Sequence, residues 1–167
     1  MKLKKVVIHK YKSFESEQEF SLEDDITILV GMNESGKTSA LETIAKTNYF
    51  QEDDAFKFNS THDYPRKEKK AMDKSGENPK AITCFYSIDS NTLALIEKEI
   101  GKGVFTATEF SVTTKYDNTN NIGGVSADAK KFAEHKTNIL GISSAALNDK
   151  LSKVKNAADL KTLISEY

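Results

Sequence analysis

A single cysteine, Cys84, is the whole thiol content of the 167 residues, which excludes an internal disulfide and any multi-cysteine zinc site. It stands in a strand-like run and reads as a small buried hydrophobe. His9, His62 and His135 are scattered without a second ligand at metal spacing, so no metal centre is expected of them. Arginine is almost as scarce. Of the 24 basic residues only Arg66 is an arginine, so a bidentate fork for phosphate or carboxylate can come from one position alone. Long apolar runs are missing too: none approaches the roughly 20 residues of a membrane-spanning helix. The start, Met1-Lys2-Leu3-Lys4-Lys5, is too polar for a secretory leader, so a cytoplasmic protein is expected. A net charge of −1, with 29% of residues charged, announces neither a nucleic-acid nor a membrane partner. What remains is 38% hydrophobic residues, enough for one ordinary domain to bury a core.

The informative stretch is Gly31-Met32-Asn33-Glu34-Ser35-Gly36-Lys37-Thr38. It fits G-x-x-x-x-G-K-[ST], directly follows the apolar run Ile26 to Val30, and leads into a helical pattern from Lys37 to Tyr49 with Ala40, Leu41, Ile44, Ala45 and Tyr49 on one face. Strand, loop and helix in this order make a phosphate-binding loop. A triphosphate needs donors at short range, and backbone N–H groups that turn inward at a helix N-terminus supply them. Gly31 and Gly36 keep a Cβ away from the bend and the ligand. Lys37 is expected to reach the β- and γ-phosphates, and the Thr38 hydroxyl to take one position on an octahedral Mg²⁺. The expected ligand is therefore ATP with Mg²⁺.

Along the chain, Lys2 to His9 reads as a first strand and Gln18 to Leu22 as a second, with Phe20 and Leu22 alternating with polar residues. Ile26 to Val30 is apolar on both faces, which predicts a central, covered strand. The segment 50–80 holds both prolines and much charge, and reads as a long polar surface excursion with at most short helical pieces. Within it, Asp63-Tyr64-Pro65-Arg66 predicts a proline turn with an exposed arginine, because Pro65 fixes its own φ and pushes Tyr64 to an extended conformation. Arg66-Lys67-Glu68-Lys69-Lys70 reads as a solvated lysine run rather than a phosphate-backbone contact. Ala81 to Ile88 predicts a strand, Asp89 or Ser90 a cap for a helix from Thr92 to Ile100, and Gly101 its end. Val104 to Tyr116 predicts another strand, Asp117 to Gly124 a turn, and the remainder helices that include Leu147, Leu151 and Val154, and Leu160 to Ile164. The fold class is therefore α/β, a mixed sheet in which antiparallel strands flank the nucleotide strand.

Hydrolysis also needs a carboxylate on the Mg²⁺ shell and a group to orient the attacking water. Neither stands out in this sequence. The strand ending at Asp89 is followed by Ser90 where a second acid would serve, and Asp89 reads as a helix cap. No Asn-Lys-x-Asp reads guanine, and no leucine-serine-glycine-glycine run is present.

The first hairpin, Lys10-Tyr11-Lys12-Ser13-Phe14 and the loop at 31–38 together resemble the N-terminal lobe of ABC-type P-loop ATPases of the SMC, RecF and OLD group. Asp63-Tyr64-Pro65-Arg66 is similar to a run in OLD-like, nuclease-associated and phage-defence AAA ATPases. The resemblance implies that Asn33, Ser35, Gly36, Lys37, Thr38 and Ser39 surround the phosphates, with Gly31 and Glu34 in the same loop. It also implies that Lys12 and Ser13 lie beside the nucleotide, and it adds Arg66 to the candidates. In that group the magnesium-sensing glutamine, the signature motif and the acidic strand end come later in the chain, and ATP is sandwiched in a head-to-head dimer. The expected arrangement is a nucleotide-binding lobe over residues 1–125 and, at 126–167, the start of a further region truncated here. A homodimer or a missing C-terminal lobe would complete the site, and DNA would be reached through the full assembly, with weak or no binding by this near-neutral chain itself. The sequence leaves open a non-catalytic nucleotide-dependent interaction module and a small autonomous kinase or NTPase.

Overall fold

The computed structural model describes residues 1–48, 56–139, 141 and 145–165. In chain order the elements are β1 (Lys2–Ile8), β2 (Gln18–Ser21), α1 (Lys37–Asn48), α2 (Ser60–Asp63), α3 (Arg66–Ser75), β3 (Lys80–Ser87), α4 (Ser90–Ile100), β4 (Glu109–Lys115), β5 (Asn120–Gly123), α5 (Ala129–Ile139), α6 (Ala145–Ser152) and α7 (Ala157–Ser165). They fall into two compact units. Residues 2–87 and 110–123 form one, and Met1 with residues 88–109 and 124–167 the other.

In the first unit the sheet order is β2-β1-β3-β4-β5. β1 runs antiparallel to β2 and β3, and β4 antiparallel to β5. Tyr116 N–H donates to the Pro79 carbonyl at 3.2 Å, past one end of β3. At its other end Ile88 N–H donates to the Thr108 carbonyl at 2.8 Å, so β3 and β4 also run in opposite directions. Alternation puts Val6 and Ile8 of β1 on the face that meets Ile82, Cys84 and Tyr86 of β3. With Tyr11, Ala40, Phe58, Tyr64 and Tyr116 they make the buried cluster, and Ile44 of α1 packs on it. Cys84 is buried as its run implies, and that burial pushes its thiol pKa up.

Three expectations change here. Ile26 to Val30 forms no strand. It joins no ladder among the described residues, and an extended run without a ladder partner is not held, whatever its propensity. Ile26, Ile28, Val30 and Met32 are 75%, 77%, 85% and 85% exposed, whereas Leu29 turns inward against the core. The described part of 50–80 holds the short helices α2 and α3, and α3 buries no residue, but the segment also delivers Phe58, Asp63, Tyr64 and Pro65 to the interior. The strand expected from Val104 to Tyr116 begins only at Glu109, and β5 occupies the second half of the expected turn. Residues 49–55, including Tyr49, lie outside the described residues.

In the second unit, α4 starts on Asp89, whose Oδ1 accepts from Thr92 N–H at 2.8 Å, and ends at Gly101 with φ 108°. That is the capping expected of both residues. The N-terminal ammonium pairs with the same carboxylate and, with the Thr92 bonds, holds its pKa well below the usual range. Among the described residues, Val104, Ala133, Leu151 and Val154 are this unit's buried apolar side chains. No described helix is long and apolar enough to cross a membrane.

Candidate nucleotide-binding site

The loop at 31–36 is built as a cradle. Gly36 has φ +90°, and a Cβ there would lie 2.7 Å from Phe14 Cζ. A Cβ on Gly31 would lie 2.7 Å from Ser35 Oγ. At Gly36 the positive φ and the Phe14 ring exclude a side chain, whereas at Gly31 a Cβ would require the Ser35 hydroxyl to swing away. Glu34 takes φ 65° at the tip, and Ser35 N–H returns to the Met32 carbonyl at 3.3 Å. Ala40 N–H donates to the Gly36 carbonyl at 2.9 Å, so α1 leaves the loop directly and its first N–H groups have no partner within the helix.

Lys37 folds back over this loop. Its Nζ donates to the carbonyls of Gly31 at 2.8 Å and Met32 at 2.6 Å, and to Ser35 Oγ at 3.4 Å. An ammonium gathered against three oxygens inside the loop is positioned for phosphate oxygens. Thr38, Asn33 and Glu34 are exposed and Ser39 is half-buried. The Thr38 hydroxyl makes no hydrogen bond among the described residues, and no group of three or more His, Cys, Asp or Glu able to hold a metal is present among them. The Thr38 hydroxyl at the start of α1 is thus a hard oxygen without a protein partner among the described residues.

Beside the cradle stands a two-residue turn. Tyr11 and Phe14 pair as an isolated bridge, with N–H to carbonyl distances of 3.1 and 2.8 Å, and Lys12 between them takes φ 50°. Ser13 Oγ lies 3.5 Å from where a Gly36 Cβ would be. The turn expected beside the nucleotide thus touches the loop through Ser13 and Phe14. Lys12 Nζ pairs with Glu42 of α1, while its backbone N–H donates to the Asp63 carbonyl at 2.6 Å.

Asp63, marked in sequence only as the start of the proline turn, is buried here. Its Oδ2 accepts from Lys46 Nζ and from Asn59 N–H, both at 2.8 Å. The side chains are 5% exposed for Asp63 and 13% for Lys46. Lys46 also lies over the rings of Tyr11 and Phe58, 5.9 and 5.8 Å from their centroids, and donates to the Lys57 carbonyl at 3.0 Å. Tyr116 donates its hydroxyl to the carbonyls of Lys10 at 2.6 Å and Asp63 at 3.3 Å. Burial, and after it the Asp63 charge, pushes the phenols of Tyr11 and Tyr116 far above their ordinary value. A buried ion pair in an aromatic setting therefore ties the end of α1 to the segment carrying Arg66.

Tyr64 is extended, at φ −75° and ψ 144°, and Arg66 is exposed, as the proline turn implies. Arg66 does not join the cradle. It makes no hydrogen bond or ion pair among the described residues, and lines a cleft of about 430 Å³ with Lys12, Glu15, His62, Tyr64 and Lys67. Lys12 also lines a second cleft of about 450 Å³ that reaches Lys46 and Asp63.

No curated protein matches the chain in sequence. A solved structure, reported for the structural biochemistry of ATP-driven dimerization and DNA-stimulated activation of SMC ATPases, is similar at 13% identity. That similarity covers 98% of this chain and 91% of the other with a TM-score of 0.43. Residues 1–166 match the profile of the AAA ATPase domain family. The match takes in the loop, the turn beside it and both units, and the chain belongs to the AAA ATPase domain family.

Proposed function

We propose that this chain is the ATP-binding N-terminal portion of an OLD-, RecF- or SMC-like ATPase, with residues 1–125 as the nucleotide lobe and 126–167 as the start of a further region. The observation that carries the reading is Lys37 Nζ drawn into a loop where Gly36, at φ +90° against the Phe14 ring, leaves no space for a Cβ. Asn33, Glu34, Ser35, Gly36, Lys37 and Ser39 would hold the phosphates through backbone N–H groups and the ammonium. Gly31 keeps the bend open, Lys12 and Ser13 flank the ligand, and Thr38 would hold Mg²⁺. The metal would neutralise charge on the β- and γ-phosphates.

Efficient hydrolysis needs the acid, glutamine and signature groups that this sequence does not supply, contributed by a C-terminal lobe or by a second subunit in a homodimer. DNA repair or a phage-defence nuclease is the setting that fits the resemblance, with DNA the partner of the full assembly. The test is Lys37→Ala. Mg-ATP should raise the melting temperature of the native chain and leave that of the variant unchanged, while both give the same far-UV circular dichroism. An equal ATP-dependent shift in both would sink the assignment.

A second reading is favoured by the exposed stripe Ile26, Ile28, Val30 and Met32 immediately before the loop. In it the chain is a nucleotide-controlled interaction module whose apolar face docks when the loop is filled. Partner capture that requires ATP but releases no phosphate would support it.

A further inference from the structure

The run Arg66-Lys67-Glu68-Lys69-Lys70 reads in sequence as mixed, solvated charge. In the structure its charges are sorted. At about 100° per residue, Arg66, Lys70, Lys74 and Lys67 fall within an arc of about 100° on α3, and Glu68 and Met72 lie opposite it. Burial agrees: the four cations are exposed, whereas Glu68 and Met72 are half-buried and Met72 packs on the core.

Neither acid of this helix serves the outer arc. Glu68 pairs with Lys10 of the sheet side, which raises the Lys10 pKa, and Asp73 pairs with Lys69 along the flank. Arg66, Lys70 and Lys74 have no ion-pair partner among the described residues. Lys67 reaches Glu15 at 2.8 Å but keeps 79% of its side chain exposed. The stripe rises about 12 Å from Arg66 to Lys74. At its N-terminal end it runs into the cleft lined by Lys12 and His62.

We propose that this face of α3 is a contact surface for the phosphate backbone of duplex DNA. The proposal takes up the DNA partner of the reading above and assigns the contact to this chain itself, although its net charge is only −1. A linear row of cations suits a polyanion of regular spacing. The arc carries no aromatic or large apolar residue, which separates it from a protein hot spot, a membrane-surface helix and a single-strand stacking platform. A convex helix face seats along the wide major groove of B-form DNA and reaches the phosphates on its rims, whereas the deep, narrow major groove of duplex RNA does not admit it. With contacts to phosphate alone, the binding is sequence-independent.

The test is fluorescence anisotropy with a 20-base-pair DNA duplex and no nucleotide, from about 50 to 200 mM salt. Four phosphate contacts predict a slope of log K against log[salt] of about −3.6. Arg66→Ala should reduce that slope by about one unit. The triple variant Arg66→Glu, Lys70→Glu, Lys74→Glu should lose binding while keeping the native melting temperature and ATP response, since all three side chains are exposed and unpaired. Lys37→Ala should bind duplex as the native chain does, so failure of the ATP reading and failure of this one are told apart. Native-like duplex binding by the triple variant, no binding at 50 mM salt, or equal binding to a 20-base-pair RNA duplex would overturn the proposal.

Discussion

Removing the Asp63 carboxylate should destabilise the sheet unit more than any comparable change on its surface. The carboxylate accepts two bonds of 2.8 Å, from Lys46 Nζ and Asn59 N–H. In Asp63→Ala the Lys46 ammonium, 13% exposed, keeps only the Lys57 carbonyl at 3.0 Å and its ring contacts, and the Asn59 N–H loses its acceptor. Breaking one side of a buried pair costs about 3–5 kcal/mol, because the remaining charge stays desolvated. At 2–4 °C per kcal/mol for a chain of this size, the melting temperature should fall by roughly 6–20 °C. Lys46→Met should cost a similar amount, because it leaves the Asp63 carboxylate, 5% exposed, without its counter-ion even though the methionine stem keeps the contacts with Tyr11 and Phe58. The double variant Lys46→Met, Asp63→Ala should be more stable than the sum of the single losses predicts, by about 1.5–3 kcal/mol. Urea unfolding of the four proteins measures all of this. Losses below about 1 kcal/mol for Asp63→Ala, or strict additivity, would show that the pair is worth no more than a surface salt bridge and refute the reasoning.

Gly36→Ala should lower ATP affinity and cost about 1–3 kcal/mol, because its Cβ needs φ +90° and meets Phe14 Cζ at 2.7 Å; a native-like urea midpoint would contradict the close packing of the turn on the loop. Tyr116→Phe leaves the Lys10 carbonyl without its 2.6 Å donor and should cost about 1–3 kcal/mol, read in the same unfolding assay. The Asp117 carboxyl is held down at about 2 by the Thr119 hydroxyl, the Asn78 side chain and the Thr119 N–H. A depressed folded pKa gives stability that is present above the unfolded value of about 3.9 and lost as pH falls toward 2. Melting temperatures between pH 5 and 2 should therefore fall more steeply for the native chain than for Asp117→Asn, and equal slopes would remove Asp117 from the acid response.

Local patterns carried well from sequence to structure. The loop from Gly31 to Thr38, the caps at Asp89 and Gly101, and the extended Tyr64 before Pro65 depend on neighbours a few residues away, and each stands as its residue types dictate. What failed depended on distant partners. Ile26 to Val30 has a strand's composition, but it pairs with no described strand, and composition cannot report that. Lys46 and Asp63 are 17 residues apart, and although Asp63 opens the marked proline-turn run, nothing in the sequence pairs it with Lys46 among 24 basic and 25 acidic residues. Their burial follows from Tyr11, Phe58 and Tyr116, which converge from three separate segments. The sorting of charges around α3 was equally hidden, since it rests on Lys10, far away in sequence, withdrawing Glu68 from the outer face.

The central claim is that a triphosphate sits in the Gly31 to Ser39 loop, and amide chemical shifts tested with Mg-ATP address it most directly. On titration of the ¹⁵N-labelled chain, the largest shifts should fall on the N–H groups of Asn33 to Ser39, with smaller ones at Lys12 and Ser13, and Lys37→Ala should abolish them. Shifts clustered elsewhere in the chain, or none at millimolar Mg-ATP, would contradict the account.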